Sequence, residues 1–193
     1  MRLVHGFGVN DADYAVRPII NGIGVMCPAY VAWANMLKRC HNERYQKKNK
    51  TYVGVTACDE WKSFMAFRDW WMEHKVDGWQ LDKDILSDNR QYSPENCIYV
   101  PTWLNTFTVG RDAARGEWPI GVYYHKGRGL FEAMCKNPAT GKRARIGLFK
   151  TPEAAHLAWR ARKLEYAAQM KNEMDAIYER IYPSVVEIIN RAK

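Results

Sequence analysis

Residues 119–171 limit the possible folds more than any other part of the chain. They contain three short strand-like runs, separated by the Gly-rich turns HKGRG and NPATGKR, and then a helix with clear start signals. Thr151 is a good N-cap, Pro152 suits the first helical position, and Glu153 suits the positive end of the helix dipole. This order predicts a three-stranded antiparallel sheet packed on one helix.

Alternation within each run divides the predicted sheet into two faces. One helix covers only the apolar face, so the other face is exposed. The exposed face is predicted to hold Tyr123, His125, Glu132, Lys136, Arg143 and Arg145. A ribbon with projecting Arg and aromatic side chains can enter a DNA major groove, where Arg reads guanine edges and other cations bind phosphates.

The positive charge is concentrated in the same part of the chain. Residues 111–171 carry 13 basic and 5 acidic side chains, whereas residues 1–110 carry 13 and 12 and residues 172–193 carry 3 and 4. Such a segment is typical of a module that binds a polyanion, most often nucleic acid. The turn cations Lys126 and Arg128 join the candidate DNA contacts on the exposed face.

A second basic group begins on a predicted helix at residues 29–41 and continues into the run that follows it. Its run NERYQKKNK is either a solvated loop or a second patch that contacts phosphates. The candidate contacts in this patch are Lys38, Arg39, Lys47 and Lys48.

The chain is predicted to be α+β with four parts. These are an N-terminal domain at residues 1–108, a linker at 109–118, the sheet-and-helix domain at 119–171 and a helical tail at 172–193, broken at Pro183. Residues 1–28 read as irregular. A stripe of aromatic residues within residues 58–75 is predicted to belong to a helix and to the core.

Several classes of protein are disfavoured by the sequence. No apolar run reaches the roughly 18 to 20 residues that a membrane span needs, and no apolar region of a secretory signal is evident. The five cysteines form no CxxC pair, so buried apolar thiols are a better reading than a disulfide framework or a zinc site. We expect a cytoplasmic protein with no membrane partner.

The stretch QLDKDILSDN, residues 80–89, allows two readings. Its two carboxylates, Asp82 and Asp84, flank Lys83, and the runs SPEN, CIYVP and TWLN follow. The stretch is either a metal site that cuts a substrate or a solvated turn between two elements.

The C-terminal motifs resemble a known family. The runs IGVYYHKGRGLFEAMC and RARIGLFKTPEAAHLAW are similar to the APETALA/ethylene-response-factor type DNA-binding domain over about fifty residues. The resemblance implies binding to double-stranded DNA through the exposed face. In plant members of the family, several DNA-contacting positions hold Arg or Trp. The corresponding residues here are Tyr123, His125 and Arg145, so the base specificity of those members cannot be assigned to this chain.

The N-terminal motifs resemble the core of an HNH (ββα-metal) nuclease. Asp82 stands in the Asp position, Asn96 stands in PENCIYV, and Asn105 follows nine residues later. The resemblance implies that Asp82 and Asn105 hold Mg²⁺ or Mn²⁺, for which oxygen ligands are suited, and that Asn96 fixes the loop. Lys83 occupies the position of the usual histidine base, and it is the fourth candidate catalytic residue.

The resemblance therefore leaves the function open between two main hypotheses. The first is a phage-encoded endonuclease, similar to a homing endonuclease, that cuts double-stranded DNA in the cytoplasm of the host cell. Its general base is Lys83, His41, His74, Asp84 or solvent. The second is a DNA-binding regulatory protein whose HNH scaffold is catalytically inactive. A third hypothesis is an inhibitor of a host enzyme that uses the basic face as a decoy.

Overall fold

A computed structural model describes residues 2–108 and 117–193 of the chain. The chain divides into two compact units, Met1–Tyr99 and Val100–Lys193, and each is described by itself. Both units contain helices and strands, in agreement with the predicted α+β class. Most of the linker predicted at residues 109–118 lies outside the described residues, which resume at position 117.

The first unit combines helices with short paired strands. Its elements are β1 Ile19–Ile20, β2 Ile23–Gly24, α1 Pro28–His41, α2 Glu43–Lys48, β3 Thr56–Ala57, α3 Phe64–His74, β4 Gln80–Asp82, β5 Gln91–Tyr92 and β6 Ile98–Val100, the last of which ends at the boundary with the second unit. Strand β1 pairs antiparallel with β2, β3 pairs parallel with β5, and β4 pairs with β6.

The core of the first unit is aromatic and lies between α1 and α3. Trp33 of α1 is fully buried against Phe64 of α3, and its indole N–H donates to the carbonyl oxygen of Trp61 at 2.7 Å. Phe67 packs edge-on against Trp61 with ring centroids 5.0 Å apart. The prediction that the aromatic stripe forms the core is confirmed, although α3 begins at Phe64, after a short 3-10 turn.

Two stretches of the first unit were predicted without regular structure and have it. Residues 43–48, which one of the two interpretations took as a solvated loop, form α2. The Asn42 side chain caps this helix by accepting a hydrogen bond from the Tyr45 N–H at 2.9 Å. The irregular reading of residues 1–28 was wrong at the β1–β2 hairpin. Its turn residues Asn21 and Gly22 both have positive φ angles, as a tight hairpin turn requires.

The second unit contains the predicted sheet. Its elements are α4 Thr102–Thr108, β7 Val122–His125, β8 Leu130–Lys136, β9 Arg143–Phe149, α5 Pro152–Gln169, α6 Lys171–Ile177 and α7 Ile181–Arg191. The strands are antiparallel in the order β7-β8-β9, and α5 packs on them. Thr151 caps α5 by accepting from the Ala154 N–H at 3.2 Å. The predicted antiparallel sheet, its helix and the cap are confirmed.

A β-bulge in β9 changes the alternation that the sequence suggested. Ala133 pairs with Gly147 and Met134 pairs with Arg145, so Ile146 has no partner in the register. Ile146 still packs on the helix-side core, and the extra residue brings Phe149 to the same face. The exposed positions of Arg143 and Arg145 are unaffected, because they precede the bulge.

The break in the helical tail was predicted at the wrong residue. Helix α6 ends at Ile177 and α7 begins at Ile181, so the interruption lies before Pro183 rather than at it. Proline is tolerated in the first turn of a helix, where its missing N–H would have no partner in the helix. Pro183 therefore lies inside α7, which buries Ile181, Val185 and Ile189.

We expect Gly121→Ala to destabilise the second unit by roughly 3 to 5 kcal/mol. Gly121 has a φ of +81°, and a Cβ there would lie 2.0 Å from a ring carbon of the buried Trp159. Gly129→Ala is the matched control, because its φ is +62° but no atom lies within 4 Å of the added carbon. The control should cost only about 1 kcal/mol in urea denaturation. Equal losses for both variants would contradict the clash with Trp159.

We expect Lys163→Met to raise the free energy of unfolding at pH 7 by roughly 1 to 2 kcal/mol. Burial lowers the pKa of Lys163 to about 8, so the charged amine is unfavourable at neutral pH. The ammonium lies 3.6 Å from the centroid of the Phe107 ring, and this cation–π contact offsets part of that cost.

The expected pH dependence of this effect has a definite sign. Between about pH 8 and the ordinary lysine value of 10.5, the unfolded chain binds more protons at Lys163 than the folded chain does. This group therefore makes the wild type more stable as pH rises through that window. Urea denaturation at pH 7 and pH 10 should show the advantage of the methionine variant shrinking. An advantage that is constant with pH would contradict the assignment.

Candidate functional site

Asp82 lies at the end of β4 and is buried, with 9% of its surface exposed. Its Oδ1 accepts hydrogen bonds from the N–H groups of Asp84 at 2.8 Å and Ile85 at 2.9 Å. These bonds close the turn after the strand and fix the direction of the carboxylate. Burial, more than any other cause, raises the pKa of Asp82, which shows that its surroundings undercompensate the negative charge.

Lys83 is buried rather than solvated, with 5% of its surface exposed. Its ammonium donates to the carboxylate of the exposed Asp84 and lies 5.6 Å from the centroid of the Tyr92 ring. The Tyr92 hydroxyl in turn accepts from Arg39 Nη1 at 3.2 Å. An ammonium that donates to a carboxylate has no free lone pair, so this arrangement does not suit Lys83 as a base.

Asn96 connects the loop that follows β4 to β5. Its amide nitrogen donates to Asn89 Oδ1 at 3.1 Å and to the carbonyl oxygen of Gln91 at 3.3 Å. These contacts join Asn96, which follows β5, to Asn89, which precedes it, and to Gln91 within it. They fit the loop-fixing role that the resemblance assigns to Asn96, which stays a prediction.

Asn105 lies on α4, in the second unit, whereas Asp82 lies in the first. That Asp82 and Asn105 hold one metal ion stays a prediction.

The two histidines considered as bases are packed on aromatic rings. His41 stacks on Phe7 with ring centroids 4.3 Å apart, and burial followed by the nearby His5 lowers its pKa. His74 stacks on Trp70 at 4.6 Å, and its Nδ1 lies 2.7 Å from the Trp70 carbonyl oxygen. Both side chains have structural contacts that account for their positions.

The donor set at Asp82 suits a magnesium-type ion better than zinc. Within residues 2–108 and 117–193, no three His, Cys, Asp or Glu side chains cluster closely enough to hold a metal ion. Zinc needs such a cluster, whereas Mg²⁺ is often bound by one or two carboxylates and completed by water and substrate phosphates. Both described hydrogen bonds of Asp82 go to Oδ1, and the undercompensated charge of this carboxylate would be balanced by a cation.

The outer face of the three-stranded sheet brings together four of the predicted DNA contacts, Tyr123, Lys136, Arg143 and Arg145. Tyr123 is 45% exposed, and the Arg143 guanidinium lies 6.0 Å from its ring centroid. Arg145 Nε lies 2.8 Å from Glu132 Oε1. Lys136 pairs with Arg143 across β8 and β9, so two cations stand side by side at one end of the face. The opposite face packs on α5, in agreement with the alternation in the sequence.

The remaining predicted contacts lie in two other places. His125, Lys126 and Arg128 are exposed at the end of β7 and in the turn that follows it. In the first unit Lys47 and Lys48 are exposed on α2.

The two α1 cations of the second patch are held by tyrosine rings. Lys38 lies 5.0 Å from the ring centroid of Tyr45, and Arg39 lies 5.6 Å from that of Tyr52. Tyr92, which links Arg39 to Lys83, was not anticipated from the sequence. A single tyrosine in a two-residue strand has no spacing that would reveal such a contact.

Comparison with known proteins gave no match: no family model, no curated protein and no solved structure is significantly similar to the chain. The two family resemblances stay predictions that rest on the motifs quoted above. In the part of the chain that the structure describes, no helix combines the length and the apolar character needed to cross a membrane.

Proposed function

We propose that the protein is a DNA endonuclease. Its second unit binds double-stranded DNA through the outer face of the sheet, and its first unit hydrolyses a phosphodiester bond with Mg²⁺ or Mn²⁺ at Asp82. The observation that supports this proposal most is the sheet itself, because α5 occupies one face and leaves the cations of the other face in solvent.

The cations of the outer face suit a DNA backbone. Arg143 and Lys136 are exposed neighbours, and Arg145 is exposed by about half of its side chain. Glu132 is the acidic side chain among them, so the face stays positive. Such a surface gains affinity by displacing the counterions of DNA, and an Arg that reaches a base edge adds sequence preference.

The proposed hydrolysis depends on a carboxylate with a fixed direction. The N–H groups of Asp84 and Ile85 hold Oδ1 of Asp82. The other carboxylate oxygen would take the ion, and on the resemblance alone Asn105 would supply a second oxygen ligand. A bound divalent ion would stabilise negative charge on the scissile phosphate and on the leaving oxygen. Asn96 would keep the loop in place, and solvent would accept the proton of the attacking water.

The decisive experiment is a cleavage assay with the full-length protein. Supercoiled and linear duplex DNA of phage and bacterial origin would be incubated with Mg²⁺, Mn²⁺, Ca²⁺ or EDTA. We expect nicked or linear products with Mg²⁺ or Mn²⁺, and none with EDTA. A protein that binds these DNAs and cuts none of them with either metal would contradict the endonuclease proposal.

A second function, DNA binding without cleavage, is favoured by the ion pair of Lys83 with Asp84. This pair leaves the histidine position of the motif without a proton acceptor. Lys83→His separates the two functions. A wild type that binds without cutting, together with a histidine variant that cuts, would establish that the scaffold is intact and has lost its base.

A further inference from the structure

The β1–β2 hairpin places three isoleucines in solvent. Ile19 is 77% exposed, Ile20 is 51% exposed and Ile23 is 69% exposed. Removing such a side chain from water is favourable. Contiguous apolar groups on a projecting element usually mark a surface that contacts another molecule.

The hairpin has a partly buried base and an exposed tip. The Val25 N–H donates to the Pro18 carbonyl at 2.9 Å, and the Cys27 N–H donates to the Val16 carbonyl at 2.8 Å, so the two-stranded pairing continues below the strands. Val16 and Cys27 pack on the core of the first unit. The isoleucines stand beyond this base, on a narrow ribbon closed by a two-residue turn.

The ribbon presents Ile20 and Ile23 on one face, and Ile19 beside Arg17 on the other. Ile20 pairs with Ile23, so these side chains share a face. Ile19 pairs with Gly24, and the Arg17 guanidinium lies across this glycine, since a Cβ there would be 2.7 Å from Arg17 Nε. Residues 14–28 contain Arg17 and no carboxylate.

We propose that this hairpin enters the minor groove of double-stranded DNA and inserts Ile20 and Ile23 between base pairs, while Arg17 contacts the backbone. The proposal rests on the proposed DNA binding of the chain. A slim element with apolar side chains beside its turn can open a base step and kink the duplex. The Arg17 cation complements the negative charge of the groove, and residues 14–28 hold no carboxylate.

Charge argues against a second copy of the chain as the occupant. A two-fold pairing of hairpins would bring the same surface of each copy together. Both copies of Arg17 would then enter the interface, and residues 14–28 hold no carboxylate to pair with them.

The test compares Ile20→Ala/Ile23→Ala with the wild type on a duplex of about 30 base pairs. Fluorophores at both ends report bending by energy transfer, and 2-aminopurine at successive steps reports unstacking. We expect the wild type to bend the duplex and brighten 2-aminopurine at one step. The double variant should lose both signals and bind roughly tenfold more weakly, with an unchanged dependence on salt. Val53→Ala/Met72→Ala, which truncates two other exposed apolar side chains of the same unit, should behave like wild type.

The possible outcomes separate this proposal from the proposed function. Wild-type binding without bending or unstacking, or a double variant that retains both signals, would overturn the hairpin proposal and leave DNA binding intact. A wild-type dimer in sedimentation that the double variant abolishes would assign the hairpin to self-association. A wild type that binds no duplex at all would overturn both proposals. A melting temperature close to that of wild type would exclude misfolding of the variant.

Discussion

Asp82→Asn is expected to lower the rate of DNA cleavage by at least about 100-fold while changing DNA affinity by less than about twofold. The amide oxygen can still accept from the N–H groups of Asp84 and Ile85, so the turn after β4 is kept. What is lost is the negative charge that would hold the ion. Single-turnover cleavage and fluorescence anisotropy with the same labelled duplex measure the two quantities separately.

The same substitution has an expected effect on stability. Burial raises the pKa of Asp82 in the folded protein. A raised carboxyl pKa contributes stability that is present below the unfolded value of 3.8 and is lost as pH rises through the folded pKa. At pH 7 the asparagine variant should therefore be at least as stable as wild type. Its advantage should shrink as pH falls toward 4 in urea denaturation.

Asp88→Asn is the matched control for the loss of one negative charge, because Asp88 lies in the same loop region and has no predicted role at the site. It should cleave at nearly the wild-type rate. Full cleavage by Asp82→Asn would remove Asp82 from the metal site. A parallel loss of cleavage and folding would indicate a structural role instead.

Arg143→Ala/Arg145→Ala is expected to weaken DNA binding by roughly 100-fold near physiological salt, and to reduce the slope of log affinity against log salt by about 2. The reason is that both guanidiniums project from the face that α5 leaves open. Anisotropy titrations at several salt concentrations give the affinity and the slope together. A base-reading arginine would also flatten the preference among sequences, which competition with unrelated duplexes measures.

Lys171→Ala/Arg180→Ala removes the same charge from the helical region of the same unit. Both residues are exposed, and Lys171 pairs with Asp175. We expect this control to weaken binding by less than about threefold, because a cation outside the binding face acts only through screened attraction. Similar losses in the two double variants would show that binding follows net charge rather than the sheet face.

The sheet was predictable because its signals are local. Alternation identified the outward positions of Arg143 and Arg145, and Thr151 marked the start of α5. In each case neighbouring residues alone determine the structure.

The features that escaped prediction depend on contacts between distant residues. The bulge at Ile146 arises because Phe149 must reach the core under α5, which no pattern within β9 reveals. Burial of Lys83 follows from the positions of Tyr92 and Asp84 around it. A lysine between two aspartates reads as solvated until its neighbours in space are known.

The contact of Arg145 with Glu132 has a consequence for binding kinetics and entropy. An unpaired arginine samples many rotamers and loses this freedom when it binds. The ion pair between Arg145 Nε and Glu132 Oε1, at 2.8 Å, already restricts the rotamers of Arg145. If the sheet face binds DNA as proposed, part of the ordering takes place during folding rather than during association. Glu132, whose negative charge is repelled by DNA, would then help the protein to recognise DNA.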